Sequence, residues 1–243
     1  MKPSLDAVST ALNAQWDRTN EWLHSLGPDL MGQANQESSA AGWTVHELIV
    51  HTGTAMDTLI NAQPAEPGEP AITLPQYVRA YADRANMISE QTHVAALAIL
   101  GTPAQFTTVQ AQHVATKLVE LGTDPDRLIQ SRWAVMELRD LVASRLIEVV
   151  VHTLDLELTF ADKVDMSGGR SPMDPGSLRV VGLELLGILA ARGATGLEVA
   201  DPRQWILLAT GRAPHTSVDV AAALKPTYTA GGIEDLGTLL PLL

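Results

Sequence analysis

One segment, residues 141–155, constrains this chain more than any other. Its apolar residues recur at intervals of three and four, which predicts a helix because residues at those spacings share one face. On that helix Arg145, Glu148 and His152 form a single stripe with aliphatic residues on both sides. A carboxylate or an imidazole without a partner is costly in such surroundings. A divalent metal ion is one partner that would satisfy both groups.

Two simpler arrangements would satisfy the same stripe. Glu148 and His152, four residues apart, could hydrogen-bond to each other at the edge of the helix. Arg145 could instead form an i, i+3 salt bridge with Glu148, which would compete with metal binding. A metal site therefore needs a third ligand from another part of the chain.

A second helix supplies the candidate for that ligand. Thr44 can act as its N-cap, and Glu47, three residues later, can complete a capping box. The apolar residues that follow, as far as Leu59, place His51 on the buried face and His46 in solvent. A core histidine hydrogen-bonded to a carbonyl group is the ordinary alternative for His51.

His51, Glu148 and His152 together form the candidate metal site. Two His and one Glu leave a coordination position open, which is the pattern of catalytic rather than structural zinc. Because His51 is far from the other two in sequence, the two helices must pack side by side in a bundle. Asp155, three residues after His152, could accept a hydrogen bond from its imidazole, or it could be an exposed carboxylate.

Apolar periodicity predicts further helices in the first two thirds of the chain. A first helix is expected from Leu5 to Leu26, a third from Pro75 to about Leu100, and a fourth ending at Leu121. Residues 28–42 show no periodicity and are expected to form a loop. The arrangement is typical of a helical bundle.

The composition changes after Phe160. Residues 161–176 are rich in Gly, Pro and Asp, which predicts a linker between a domain at residues 1–160 and a smaller one at 177–243. The fold class expected is therefore mainly α, with a helical bundle followed by a small α+β domain. In the second domain we expect a helix capped by Ser177, strands at 197–200 and 227–229, a strand or helix at 204–209, a helix at 218–224 and a short helix from Ile233.

The overall charge limits the partners of this chain. Its formal net charge is −12 at pH 7, whereas nucleic-acid binding needs clustered Lys and Arg, so no nucleic-acid partner is expected. The same charge opposes an anionic membrane surface, and no apolar run is long enough to span a bilayer. The first residues lack the apolar core of a signal peptide. We therefore expect a cytoplasmic protein without a membrane partner.

Cysteine is absent from the sequence. This excludes disulfides, zinc sites built from cysteine, and a thiol nucleophile supplied by the protein. Any thiol chemistry would therefore depend on a thiol that arrives on a cofactor.

Residues 43–51, WTVHELIVH, and 145–155, RLIEVVVHTLD, resemble the mycothiol-dependent maleylpyruvate isomerase family, which belongs to the DinB-like metalloenzymes. The resemblance implies an N-terminal four-helix bundle that binds a divalent metal, usually zinc, through one His and a later Glu-x-x-x-His. These ligands correspond to His51, Glu148 and His152. The first motif departs from the family pattern in having Thr-Gly directly after its histidine.

The C-terminal part resembles the sterol-carrier-like domain of many such proteins, notably at residues 201–205, 208–212 and 235–243. The family's C-terminal domain contributes an arginine near the active site, and Arg212 is the candidate for that catalytic role. Its guanidinium could pair with a substrate carboxylate through two hydrogen bonds. An exposed loop arginine is the alternative.

The resemblance implies an enzyme that uses mycothiol as a thiol cosubstrate. The metal-activated sulfur would add to a small-molecule electrophile, either as an S-transferase or as a maleylpyruvate-type cis–trans isomerase. Two other functions stay open, namely a sterol-carrier-like protein that binds a small molecule or lipid beside a structural bundle, and a DinB-like metal-dependent hydrolase. A monomer or a homodimer is expected in each case.

Overall fold

The computed structural model describes residues 2–99, 101–161, 171–228 and 236–243. The chain is mainly helical, as expected, with small antiparallel sheets. The helices of the first part are α1 (Leu5–Ser25), α2 (Pro28–Gly32), α3 (Val45–Thr54), α4 (Asp57–Ile60), α5 (Leu74–Arg79), α6 (Tyr81–Ala98), α7 (Pro103–Leu121) and α8 (Leu138–Thr159). The later helices are α9 (Pro175–Ala191), α10 (Pro202–Ala209) and α11 (Ser217–Ala223). The strands are β1 (Gln63–Pro64), β2 (Leu128–Gln130), β3 (Val135–Glu137), β4 (Leu197–Val199) and β5 (Leu224–Pro226).

Helix α8, which contains the segment 141–155, is the central element of the molecule. Nearly all of its residues are buried, because α1, α3, α5 and α9 all pack against it. Its polar side chains therefore lie inside the protein and need internal partners. The site described below is built from those side chains.

Four helices form the predicted bundle. Helix α1 packs on α7 and α8, and α3 packs on the same two helices, so the four enclose a common core. Helix α6 lies outside this group and packs on α3. Gly53, in the departure from the family motif, lies where α3 meets α7, and a Cβ there would overlap the ring of Phe106. Glycine at this position therefore allows the close approach of the two helices.

The start of α3 confirms the predicted capping box. The backbone N–H of Thr44 donates to Glu47 Oε2 at 2.8 Å, and the backbone N–H of Glu47 donates to Thr44 Oγ1 at 3.2 Å. Two N–H groups at the helix start are thus satisfied reciprocally. This fixes the start of the helix that carries His51.

Several predicted boundaries were wrong. The loop expected at 28–42 contains the short helix α2, and the second predicted helix ends at Thr54 rather than Leu59. The third predicted helix is divided at Ala80 into α5 and α6. The division allows the hydroxyls of Tyr77 and Tyr81 to lie 3.2 and 2.9 Å from the same guanidinium nitrogen of Arg145. No Gly or Pro lies at the division at Ala80, where a tertiary contact accompanies the break.

A small sheet precedes α8 where no strand was predicted. Strands β1, β2 and β3 are antiparallel, with Gln63 opposite Gln130 and Ile129 opposite Met136. The strands are only two or three residues long, too short to show an alternating pattern. The turn between β2 and β3 carries Trp133.

The described residues of the C-terminal part add three helices and a two-stranded antiparallel sheet. Helix α9 packs on α1 and α8, and β4 pairs with β5. The N-cap of α9 is Asp174 and not Ser177, because the Asp174 carboxylate accepts the backbone N–H of Ser177 at 2.7 Å. The segment 204–209 is helical, within α10.

The remaining C-terminal expectations have mixed outcomes. The strand expected at 227–229 lies at Leu224–Pro226 instead, and Thr229 is outside the described residues. The first residues of the helix expected from Ile233 are also outside them, as are residues 162–170 of the expected linker. The division into domains at residues 1–160 and 177–243 stays a prediction. Among the described residues, no helix is long and apolar enough to cross a membrane.

Candidate metal centre

The structure brings His51, Glu148 and His152 together. One ligand atom from each lies within 4.8 Å of the other two, with His51 on α3 and the other residues one turn apart on α8. Glu148 Oε2 is 3.3 Å from His152 Nε2 and 3.7 Å from His51 Nε2. The side chains are almost completely enclosed, so their polar atoms face one another rather than bulk water.

Thr92 orients the ring of His51. The Thr92 hydroxyl donates to the carbonyl oxygen of Ile88 at 2.9 Å, and its oxygen lies 3.0 Å from His51 Nδ1. Because the hydroxyl proton is already used, the oxygen accepts the Nδ1–H of His51. His51 Nε2 then carries a lone pair that points toward Glu148, which is the tautomer required of a metal ligand.

Asp155 orients the ring of His152, as Thr92 orients that of His51. His152 Nδ1 donates to Asp155 Oδ2 at 3.0 Å, so in the neutral ring Nε2 is the unprotonated nitrogen and lies on the side of Glu148. Arg212 binds Asp155 in turn, through Nε to Oδ1 and Nη2 to Oδ2, both at 2.7 Å. Asp155 is therefore buried and fully paired, and Arg212 lies behind the histidine, in contact with its acceptor.

Arg145 does not remove Glu148 from the cluster. Its Nη2 is 3.9 Å from Glu148 Oε1, the oxygen that faces away from the two imidazoles. Nη1 donates to the carbonyl oxygen of Ala55 at 2.8 Å, and Nη2 itself donates to the hydroxyl of Tyr81 at 2.9 Å. The predicted competition between salt bridge and metal is thus resolved by geometry, because each carboxylate oxygen faces a different partner.

The surroundings set the protonation of the three groups. Burial lowers the pKa of His51 and favours the neutral ring. Burial opposes charge on Glu148 too, but the facing rings of His152 and His51, which can donate to it only when Nε2 is protonated, and the nearby Arg145 hold its pKa well below the usual range. Burial also disfavours a charged His152, yet its bonds to Asp155 and Glu148 raise its pKa above the ordinary value. The cluster therefore holds an ionised carboxylate between one neutral imidazole and one that binds a proton readily.

Trp43 covers one side of the cluster. Its ring centroid is 4.4 Å from that of His51 and 5.8 Å from that of His152. The indole N–H donates to Ser89 Oγ at 3.3 Å, which ties the ring to α6. This residue is the first of the sequence motif at residues 43–51. Its apolar surface shields the two imidazoles from water.

A cavity of about 740 Å³ reaches the cluster from another side. His51, Thr92 and Glu148 line its inner part, and Arg84 and Trp133 line the part near β2 and β3. This volume is typical of sites that enclose a small-molecule ligand. Arg212 is not among the residues that line the cavity.

The other histidine on α3 lies apart from the cluster. His46 was expected in solvent but is half-buried, with Nε2 3.1 Å from the carbonyl oxygen of Ala96. No sequence pattern indicated this contact, because Ala96 is on α6. His46 therefore fastens α3 to α6 without joining the three converging side chains.

Comparison with known proteins agrees with the sequence motifs. The model of the family described as mycothiol maleylpyruvate isomerase N-terminal domain matches residues 6–157. A solved structure, titled "Crystal structure of the mycothiol-dependent maleylpyruvate isomerase", is 16% identical with a TM-score of 0.49, over 83% of this chain and 78% of that chain. No curated protein matches the sequence. Because the family match covers more than half of the chain, from α1 almost to the end of α8, the chain belongs to the mycothiol maleylpyruvate isomerase N-terminal domain family.

Proposed function

We propose that this protein is a metal-dependent enzyme that uses mycothiol to transform a small electrophile in the cavity beside His51 and Glu148. The reaction is either transfer of the thiol to the electrophile or a cis–trans isomerisation of the maleylpyruvate type. One observation carries the proposal, namely that both imidazoles direct Nε2 toward the same carboxylate oxygen of Glu148. Family membership supports the thiol as cosubstrate.

The donor set fits zinc as the metal. Two imidazole nitrogens and one carboxylate oxygen are ligands typical of catalytic zinc, with a position left for another group. The Nδ1 partners Thr92 and Asp155 match the usual second contacts of zinc-binding histidines. A bound zinc ion would keep a coordinating thiol deprotonated near neutral pH. Since the protein has no cysteine, that thiol must come from the cosubstrate.

The side chains around the cluster have distinct tasks in this proposal. Trp43 excludes water from the histidines, and Arg145 stabilises the ionised Glu148. In isomerisation, the sulfur adds to a carbon of the conjugated double bond and the electron pair moves to the conjugated carbonyl oxygen. Rotation about the new single bond and return of the pair then expel the sulfur. In transfer, the adduct keeps the sulfur and takes up a proton.

The test measures whether the zinc-loaded protein turns over maleylpyruvate or an electrophilic dye, with and without mycothiol. We expect activity that requires both the metal and the thiol. Turnover of maleylpyruvate alone would identify an isomerase, and turnover of the dye alone would identify a transferase. Equal metal-dependent activity without thiol would contradict the proposal and indicate a hydrolase that uses bound water.

Arg212 is proposed to act through Asp155 and His152. Replacing it with Gln leaves Asp155 without its charged partner, and we expect zinc affinity to fall about 10- to 100-fold, as is common when outer contacts of a metal site are lost. Loss of the nearby positive charge should also shift zinc binding to higher pH, which a purely structural role would not do. Competition with a chromophoric chelator measures both effects.

The matched control for Arg212 is Arg203→Gln. Arg203 also joins α10 to α8, through Glu157 at 2.6 Å, but does not touch the cluster. Equal loss of zinc affinity in the two variants would show a general effect on the packing of α10 and would contradict the assignment.

Zinc binding should depend on pH because a proton competes for His152. The pKa of that ring is raised above its ordinary value by Asp155 and Glu148, although burial opposes this, and only the neutral ring binds metal. Affinity is therefore present above the raised pKa and lost as pH falls through it, by about tenfold per pH unit for this one proton. Chelator competition between about pH 5.5 and about pH 8 measures the slope. Asp155→Asn should move the transition to lower pH, whereas a dissociation constant independent of pH would contradict the assignment.

A further inference from the structure

Arg84 on α6 has an unusual environment in the wall of the cavity. Its guanidinium carbon is 4.9 Å from the ring centroid of Trp133 and 5.5 Å from that of Tyr77. Two aromatic rings thus hold the side chain by cation–π contacts. Its Nη1 is buried from solvent and has no hydrogen-bond partner within the described part of the chain.

Arginines elsewhere in the interior or at its edge are held differently. Arg139 and Arg212 each pair with carboxylates, and Arg145 donates to a carbonyl oxygen and to hydroxyls. A buried donor without an acceptor costs free energy, so it calls for an explanation where it persists. Stacking occupies the faces of a guanidinium and leaves the N–H groups at its edge free. The edge of Arg84 can therefore receive a planar anion without breaking an existing ion pair.

The cations that line the cavity differ in their partners. Arg145 faces Glu148 Oε1 at 3.9 Å. Arg132 is exposed, lies 4.5 Å from the ring centroid of Trp133 and has no ion pair within the described part of the chain. Among residues 2–99, 101–161, 171–228 and 236–243, no carboxylate lies within ion-pair distance of Arg84. In a protein with a net charge of −12, an unmatched cation inside a cavity is a local exception that favours anionic ligands.

Arg84 is also close to the candidate metal centre. The ring of Tyr77 is near two guanidiniums, with Arg84 at 5.5 Å and Arg145 at 5.8 Å from its centroid. Arg145 in turn is 3.9 Å from Glu148 Oε1. A small ligand that contacts Arg84 at one end can therefore extend along the cavity toward Glu148.

We propose that Arg84 is a specificity-determining residue that binds a carboxylate group of the ligand in this cavity. The guanidinium edge pairs with both carboxylate oxygens, and Arg132 adds positive charge at the mouth. Arg212 does not take this part, because Asp155 already occupies its donors. The identification of the ligand as a reactant at the cluster rests on the proposed function. The carboxylate belongs either to the electrophile or to the thiol.

Calorimetric titration with maleate tests the binding step directly. We expect maleate to bind, its uncharged analogue maleamide to bind at least about tenfold more weakly, and Arg84→Gln to weaken maleate binding by at least about tenfold. Arg84→Lys keeps the charge but not the two parallel donors, and should restore binding only in part. All titrations are repeated in His51→Ala protein, so that binding of maleate to a metal ion does not contribute.

The matched control is Arg79→Gln, since Arg79 is exposed at the end of α5 and does not line the cavity. Equal maleate affinity in wild type and Arg84→Gln, or equal affinity for maleate and maleamide, would overturn the proposal. So would an equal loss in Arg79→Gln. Circular dichroism of each variant confirms that the fold is retained.

Steady-state kinetics show whether the electrophile or the thiol carries the carboxylate. They also test the proposed reaction separately from the proposed role of Arg84. If the electrophile carries it, Arg84→Gln raises KM for maleylpyruvate with little change in KM for mycothiol; if the thiol carries it, the reverse holds. An increase in neither KM, in an active enzyme, would overturn a role in ligand binding. If the protein proves inactive while maleate binding still requires Arg84, the proposed reaction fails and the carboxylate site stands.

Discussion

Replacing His51 with Ala is expected to remove zinc from the protein and to abolish thiol-dependent turnover. The change leaves a two-ligand site of Glu148 and His152, and a chelating site with fewer than three protein ligands does not retain zinc through purification. Elemental analysis should give about one zinc ion per wild-type chain and close to none in the variant. Glu148→Gln, which keeps the shape of the side chain but removes its charge, should lose zinc as well.

The matched control is His46→Ala. His46 is on the same helix and is half-buried, but it bonds to Ala96 outside the cluster, so zinc content and activity should be retained. Absence of metal from wild type, even after zinc is added and the excess removed, would contradict the proposed enzyme. The three side chains would then be a buried hydrogen-bonded group.

Glu184→Ala is expected to lower the free energy of unfolding by about 3–5 kcal/mol, because it leaves Arg139 buried without its main partner. Arg139 on α8 pairs with Glu184 on α9 through two hydrogen bonds, and each residue is at most 4% exposed. Arg139 also donates to the carbonyl oxygen of Pro3 at 2.9 Å. The pair therefore joins three separate parts of the chain inside the core. Urea unfolding followed by circular dichroism measures the loss.

Two comparisons isolate the cause. The double variant Arg139→Met with Glu184→Leu removes both charges of the pair, while Asp140, the other carboxylate that Arg139 contacts, keeps Lys2 at 2.7 Å. It should recover most of the lost stability because no charge stays buried alone. Glu198→Ala breaks the exposed pair with Lys225, 3.2 Å apart, and should cost less than about 1 kcal/mol. A similar small cost for Glu184→Ala would show that Arg139 finds water or another acceptor.

The predictions that were confirmed concern features that depend on residues close together in the sequence. The capping box of Thr44 and Glu47 needs only residues three apart, and the segment 141–155 carries its own apolar periodicity, so both were confirmed. The convergence of His51 on Glu148 could be inferred only by assuming that α3 and α8 pack together, which they do. That these side chains bind a metal stays a prediction.

Other parts of the site had no sequence signal because they depend on distant residues. Thr92 orients His51 from α6, forty-one positions along the chain. No pattern in the sequence distinguishes Arg84 from other polar residues of its helix. Its place in the cavity wall is evident only in the structure, where Tyr77 of α5 and Trp133 of the turn after β2 lie against its guanidinium. The turn itself was missed, because three-residue strands leave too short a pattern to recognise.

The weak burial of α6 has a consequence for how the cavity opens. Only Thr92 and Ala96 are buried along this helix, whereas α8 is buried over almost its whole length. Few apolar contacts mean a low free energy of local opening, so the backbone amides of α6 should exchange with solvent deuterium through excursions that leave α8 intact. Each excursion would carry Thr92 away from His51 and Arg84 away from Trp133 at the same time. Admission of a ligand and orientation of the histidine would then be two results of one helix closing.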